Sequence, residues 1–302
     1  MTATPSAARV SIDRPVLGLA LMIGFCVLAP LSDGTAKYLA QIGFSVLQLV
    51  FIRFLFQAVV LAPMVVASGR SWRMSRLGWQ LTILRTLLQI AGIWLMVTGL
   101  TYLPLADAIA IAFVMPFILL LLGHFVLGET VGLRRLTACG VGFVGTLMVM
   151  QPSFAAVGWP VLYPLSVAFV FAGFMLVTRR IAHEADPLAM QATSGAMAVG
   201  LLGLAYVVLS KDAAMVLLTP GENWPILVLM GALGTLSHLL MTWSLRYAPA
   251  STLAPIQYLE IPVAAVIGLA LFGDLPNPLA LAGIAVTIGT GLYILWRERV
   301  DA

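Results

Sequence analysis

The 302-residue chain is 61% hydrophobic and only 9% charged, with a net charge of +4 and a mean hydropathy of +1.05. A soluble domain is nearer half apolar and about a quarter charged, so water is not the main solvent here, and a basic balance that would suggest nucleic acid in a soluble protein reads instead as membrane topology. Lipid offers the backbone no hydrogen-bond partners, which leaves helical spans or a closed barrel; apolar runs near the roughly 20 residues of a helical crossing, rather than alternating runs of roughly 10, exclude the barrel.

The polar tail at 1–15 carries Arg9 and Arg14. The apolar run behind it is too long for a signal-peptide core and lacks a small-residue cleavage site, so it counts as the first span. A window of about 20 residues predicts ten spans: 16–40, 45–67, 77–98, 104–127, 133–150, 159–181, 188–209, 224–246, 250–272 and 278–296. The expected fold is therefore an all-α polytopic membrane protein. Cytoplasmic loops collect Lys and Arg, which checks the placement independently of hydropathy. With the N-terminus inside, inner segments hold twelve of the 16 basic residues: Arg9, Arg14, Arg70, Arg73, Arg76, Arg134, Arg135, Arg179, Arg180, Arg246, Arg297 and Arg299. The outer segments hold Lys211, and Lys37, Arg53 and Arg85 lie within spans. Both termini are expected in the cytoplasm.

A repeat runs through the chain. Tyr102, Leu103 and Pro104 recur as Tyr247, Ala248 and Pro249, and Gly128-Glu129 recurs as Gly273-Asp274, at an offset of 145 residues, with Pro116 and Pro262 matched after a slip of one. Each copy contains five spans, and an odd number inverts the second copy in the membrane. The units are tail 1–15, first repeat 16–151, extracytoplasmic linker 152–158, second repeat 159–297 and cytoplasmic tail 298–302.

The stretch from Leu100 to Glu129 (Leu-Thr-Tyr-Leu-Pro-Leu-Ala-Asp-Ala, an apolar helix with Pro116, then Leu-Gly-Glu), repeated from Leu245 to Asp274 and followed each time by a glycine-rich span, resembles the EamA type of the drug/metabolite transporter superfamily. The likeness in layout covers nearly the whole chain, and the residue-level likeness is confined to those two stretches. Asp274 replaces the usual glutamate, and Arg53 has no basic counterpart in the seventh span. The resemblance implies two inverted five-helix repeats around a central cavity, in a bacterial inner membrane, exporting amino acids or related small metabolites.

Several motifs have plainer readings. Gly140, Gly142 and Gly145 spell G-x-G-x-x-G inside an apolar span, where no strand precedes the motif; close helix packing is expected there and at Gly283, Gly289 and Gly291. Cys26 and Cys139 lie in apolar runs without metal-type spacing and are expected to be packing residues. No cofactor or metal is expected.

Ionisable groups within spans must face protein or water, because each costs about 2.5 to 3.5 kcal/mol at mid-membrane on insertion scales. Asp33 and Lys37, four residues apart, share a helix face and are expected to pair. Arg53 enters at similar depth, roughly 12 Å from the outer end of its span. The three form either a structural ion cluster or, functionally, an outer gate or a site for a substrate carboxylate. Glu260, between Pro255 and Pro262, is the leading substrate-binding candidate, since the prolines remove backbone donors and open local carbonyls. Arg85 and His238 sit roughly 12 Å from the cytoplasmic face. Glu260 and Arg85 either hold a zwitterion between them or pair with each other. His238 is either a proton carrier or a plain hydrogen-bonding group. Trp94, Tyr163, Trp243 and Tyr258 join the candidates as aromatics with polar tips, and Gln89 and Ser166 as polar groups inside spans. Trp72, Trp79, Trp159, Trp224 and Trp296 fit the membrane interfaces. Glu129 and Asp274 suit capping of the helix that follows each.

The expected activity is alternating-access export of small amphipathic metabolites, amino acids first. Phosphorylated metabolites, nucleotide sugars or cationic drugs are the alternative cargoes. A channel would show rings of charge or a carbonyl filter, and an intramembrane enzyme a nucleophile with its base; neither pattern is evident. The partners implied are a small-molecule substrate and the lipid bilayer, without nucleic acid.

Overall fold

Where a chain must satisfy its backbone inside lipid, each apolar run closes its own hydrogen bonds as a helix. The computed structural model describes residues 14–115, 117–118, 121–122, 133–182, 185–209, 221–248, 253 and 256–300. Arg9, Pro116, Gly128, Glu129, Lys211, Pro249 and Pro255 lie outside the described residues, as do the side chains of Arg134, Arg135, Cys139, Arg297 and Arg299. Among the described residues ten α-helices follow one another: α1 (Pro15–Gln41), α2 (Val46–Ala67), α3 (Arg76–Leu100), α4 (Leu105–Ala112), α5 (Leu133–Val157), α6 (Leu162–Ala182), α7 (Pro187–Leu209), α8 (Trp224–Tyr247), α9 (Glu260–Phe272) and α10 (Pro278–Val300). Among the described residues seven of them are long and apolar enough to cross a membrane. Side chains such as Val59, Val66, Leu204, Val208 and Val266 are more than half exposed on the outside, which suits a hydrocarbon surrounding.

Polar residues mark the helix starts. Ser45 and Ser75 accept from the backbone N–H of Gln48 and Gly78, Asp186 from Leu188 and Ala189, and Asn277 from Ala280, each satisfying a donor that the first turn leaves open. The last of these corrects the role expected for Asp274. Asn277 caps α10, whereas Gly273 ends α9 with φ of 69°, a conformation open to glycine, and Asp274 turns back to meet Lys37 at 2.8 Å.

Exchanging each helix for its counterpart five places along preserves the main packing contacts. α1 packs on α8 as α6 packs on α3; α2 on α8 as α7 on α3; α1 on α9 as α6 on α4; and α2–α7, α4–α9 and α5–α10 join counterpart to counterpart. This is the contact pattern of a pseudo-two-fold axis, and the chain is two inverted five-helix repeats around a central cavity. Of the glycines expected to pack closely, Gly145 and Gly283 serve the α5–α10 contact, since a Cβ on Gly145 would stand 2.6 Å from Thr287 Oγ1 and 2.8 Å from the Gly283 carbonyl oxygen, and Gly142 faces Thr290, whereas Gly140 and Gly289 have nothing within 4 Å of where a Cβ would stand.

The fourth and ninth spans differ from the continuous helices expected at 104–127 and 250–272. α4 gives way to a turn at Phe113–Val114 and α9 is preceded by one at Tyr258–Leu259, positions separated by the repeat offset of 145 residues. In both, the helix tightens to i→i+3 bonds, from Val114 to Ile111 and from Leu259 to Ile256. Pro262 has no N–H to return to the Tyr258 carbonyl four residues back, and its ring crowds that oxygen. The two symmetry-related rings, Phe113 and Tyr258, meet with centroids 5.2 Å apart.

Candidate functional site

Beside these two turns lies a cavity with about 700 Å³ of empty space, its open mouth included. Seven helices shape it. α1 contributes Phe25, Ala29 and Asp33, α2 Arg53, α3 Gln89, Gly92, Ile93 and Met96, α6 Val167 and Phe171, α8 His238 and α9 Glu260; the fourth span adds Ile109, Ala112, Phe113 and Met115. Phe25, Ala29 and Met115 of the lining also belong to an apolar cluster that includes Met22, Cys26, Ile118, Met175 and Met241.

The polar wall is organised by Arg53. Its Nη1 donates to Asp33 Oδ1 at 3.4 Å, and its Nη2 lies 3.4 Å from His238 Nδ1. That same nitrogen is 3.1 Å from the Gly234 carbonyl oxygen. Because a guanidinium only donates, the ring tautomer decides which bond forms: a proton on Nδ1 serves the carbonyl, and a bare Nδ1 serves Arg53. Gly234 leaves room for the guanidinium, since a Cβ there would stand 2.5 Å from Arg53 Nε. Phe25 and Phe171 stack at 6.4 Å and 13°, and both present edges to the His238 ring, at 6.2 and 6.5 Å.

Of the residues expected at a substrate site, the cavity brings together Glu260, His238 and Gln89, joined by Asp33 and Arg53 from the expected ion cluster. Glu260 opens α9, is half-buried, and has no hydrogen-bond or ion-pair partner among the described residues. Arg85 stands behind the wall. It is fully buried and donates to Thr178 Oγ1 (3.0 Å), Ser194 Oγ (2.8 Å), Gln89 Oε1 (3.4 Å) and Thr242 Oγ1 (3.4 Å). The expected Arg85–Glu260 pairing is thus not made, and Gln89 alone of these partners lines the cavity. Lys37 does not pair with Asp33, four residues back. The guanidinium of Arg53 occupies that carboxylate, and the longer lysine stem reaches Asp274 and the Leu103 carbonyl, 3.0 Å away.

Tyr258, Trp94, Tyr163, Ser166 and Trp243 do not line the cavity. Tyr258 is buried against Phe113, Trp94 is exposed on the outside, Tyr163 stacks on Tyr102 at 6.2 Å, and Trp243 packs beside Leu61 and Leu188. Sequence reasoning missed the phenylalanines at 25, 113 and 171 and the methionines at 96 and 115. The 145-residue offset was the available signal for two of them, since it pairs Phe113 with Tyr258 and Met115 with Glu260.

The repeat also sets a basic residue near the end of the first helix in each half against the same acceptor position. Lys37 in α1 donates to the carbonyl of Leu103. Arg179 in α6 donates to the carbonyl of Ala248, at 3.1 Å, and of Leu245, at 2.6 Å; Leu103 and Ala248 are repeat counterparts.

Residues 16–151 and 158–296 each match the pattern described as the EamA-like transporter family. The chain belongs to that family. It is accordingly a multi-pass membrane transporter of small molecules and not an enzyme. EamA relatives align over most of their length: a riboflavin transporter of Brucella anthropi is 25% identical over 82% of this chain and 87% of its own, and an S-adenosylmethionine uptake transporter of Rickettsia bellii is 27% identical over 94% of each. A riboflavin transporter of Rhizobium johnstonii is 24% identical over 95% of this chain and 93% of its own. A solved crystal structure superposes on 97% of this chain and 100% of its own with a TM-score of 0.69 at 15% identity, a likeness of fold.

Proposed function

We propose that this chain carries a small heteroaromatic metabolite, of the riboflavin or S-adenosylmethionine kind, across a bacterial inner membrane with both termini in the cytoplasm. The cavity between the two repeats is its substrate site. The observation that carries this reading is the convergence, beside the paired turns of the fourth and ninth spans, of three phenylalanine rings with Asp33, Arg53, His238 and Glu260. Rings recognise a flat heterocycle by stacking, and a few placed polar groups orient it. Interruption of spanning helices at mid-membrane is the usual way a carrier of inverted repeats exposes backbone to its cargo. The twelve basic residues on one side of the spans support the orientation.

The reading replaces the amino-acid export expected from sequence. The relatives reported above are named for riboflavin and for S-adenosylmethionine uptake, and the expected zwitterion clamp of Glu260 and Arg85 is not assembled. The test is counterflow in proteoliposomes holding the full chain, following entry of labelled S-adenosylmethionine, riboflavin, and a threonine, methionine and phenylalanine panel. Saturable exchange of either heteroaromatic compound is expected. Exchange of amino acids alone, or of nothing in the panel, would overturn it.

A further inference from the structure

The charges on the cavity wall do not cancel. Among the described residues, Asp33 and Glu260 face it against the guanidinium of Arg53, with His238 as a further titratable group. Arg53 is committed to Asp33 and to the side of His238, and is seated over Gly234. The other cations in the spans are engaged elsewhere: Lys37 lies on Asp274 and the Leu103 carbonyl, and Arg85 is spread over Gln89 and three hydroxyls. With the imidazole neutral, the described wall therefore holds one carboxyl group more than its cation, and that group is Glu260, which has no partner among the described residues.

We propose that the cavity takes an organic cation attached to a flat ring, and that Glu260 is the counter-ion of its positive charge. The inference rests on the reading of the cavity as the substrate site and goes further by choosing between cargoes. Phe25, Phe113 and Phe171 line the same space, and aromatic faces attract onium groups as well as stacking on heterocycles. S-Adenosylmethionine has an adenine ring and a sulfonium, with one net positive charge; riboflavin is uncharged. A wall with an uncompensated carboxylate binds the first with a matched charge and leaves Glu260 stranded under the second, a penalty that a neutral ligand does not relieve. Glu260 is in this sense the residue that sets specificity.

The test uses the reconstituted full chain and exchange of labelled S-adenosylmethionine, with two competitors: unlabelled S-adenosylmethionine, and S-adenosylhomocysteine, which keeps the adenosine and amino-acid parts but has an uncharged thioether. In the wild type the thioether is expected to need about tenfold or more concentration to compete, the scale of a charge-assisted contact. Glu260→Gln is expected to bring the two competitors within about twofold of each other, and Glu260→Asp to keep the discrimination. Thermal unfolding of each variant in detergent separates a lost charge from a lost fold, and the Asp variant carries the test if the Gln variant does not fold. Equal competition in the wild type, or discrimination kept by a folded Gln variant, overturns the proposal. So does a Gln variant that loses riboflavin exchange as fully as it loses the cation, because Glu260 would then act on something other than substrate charge. Riboflavin exchange without S-adenosylmethionine exchange overturns this inference and leaves the transport reading standing; exchange of neither overturns both.

Discussion

Arg53 and Arg85 are both buried guanidinium groups, and the helices around them are counterparts. α1, α2 and α8 surround Arg53, while their mates α6, α7 and α3 form the slot that holds Arg85. The charge enters from different helices, from α2 in one slot and from α3 in the other. Arg53 meets a carboxylate and an imidazole and opens onto the cavity. Arg85 meets three hydroxyls and an amide, with the Phe174 ring 4.7 Å from its guanidinium carbon. A guanidinium has five N–H donors and tolerates division among neutral acceptors and an aromatic face better than a compact ammonium does. The repeat has thus kept the packing of the two slots and let their chemistry diverge: one became part of the cavity wall, the other a polar anchor behind it.

The largest effect that sharpens this contrast concerns stability. Arg53→Gln leaves Asp33 without its cation in a site where the pair is almost excluded from solvent; removing one member of such a pair destabilises by about 3–5 kcal/mol. Adding Asp33→Asn removes the stranded charge and is expected to restore most of the loss. Arg85→Gln strands no carboxylate and leaves hydroxyls that re-pair locally, so its expected loss is about 1–3 kcal/mol. Unfolding curves of the three variants and the wild type in one detergent check the order. Equal losses for the two arginines, or a double variant no better than Arg53→Gln, would break the contrast.

The same divergence explains what could be read from the sequence. The spans are visible because lipid demands long apolar runs, and the repeat because Tyr-x-Pro and Gly-acid recur 145 residues apart. The turns at Phe113 and Tyr258 were hidden from hydropathy, since an apolar window runs across a tightened turn as smoothly as across a helix; only the prolines hinted at them. At the site, Asp33, Arg53, Gln89, His238 and Glu260 were legible because a polar group in a span must face the interior. Phe25, Phe113 and Phe171 were not, because an apolar ring suits lipid and cavity equally. Choosing aromatics for their polar tips misplaced Trp94, Tyr163 and Trp243, for which interfaces and interhelical contacts are equally good homes. Depth along a span also does not fix the direction a side chain takes around it, which is why Arg85 and Glu260 share a depth on paper and do not meet.

A smaller effect tests whether the two halves still act as counterparts. Lys37 holds the end of α1 to the Leu103 carbonyl and Asp274, and Arg179 holds the end of α6 to the carbonyls of Leu245 and Ala248. Inverted repeats put these contacts at opposite faces of the membrane. If the halves rock against each other as the proposed alternating access requires, loosening either contact favours opening at its own face. Each substituted hydrogen bond is worth about 0.5–1.5 kcal/mol net, so Lys37→Met and Arg179→Met are each expected to shift the ratio of the two open forms by about two- to tenfold, in opposite directions. A reporter thiol at Ala29→Cys on the cavity wall, in a background with Cys26→Ala and Cys139→Ala, reads this through impermeant maleimide applied to one face at a time. Labelling that rises at the Asp274 face for Lys37→Met and at the opposite face for Arg179→Met matches counterpart latches. A rise at the same face for both would mean that the repeat governs packing alone, and that movement is confined to one half of the protein.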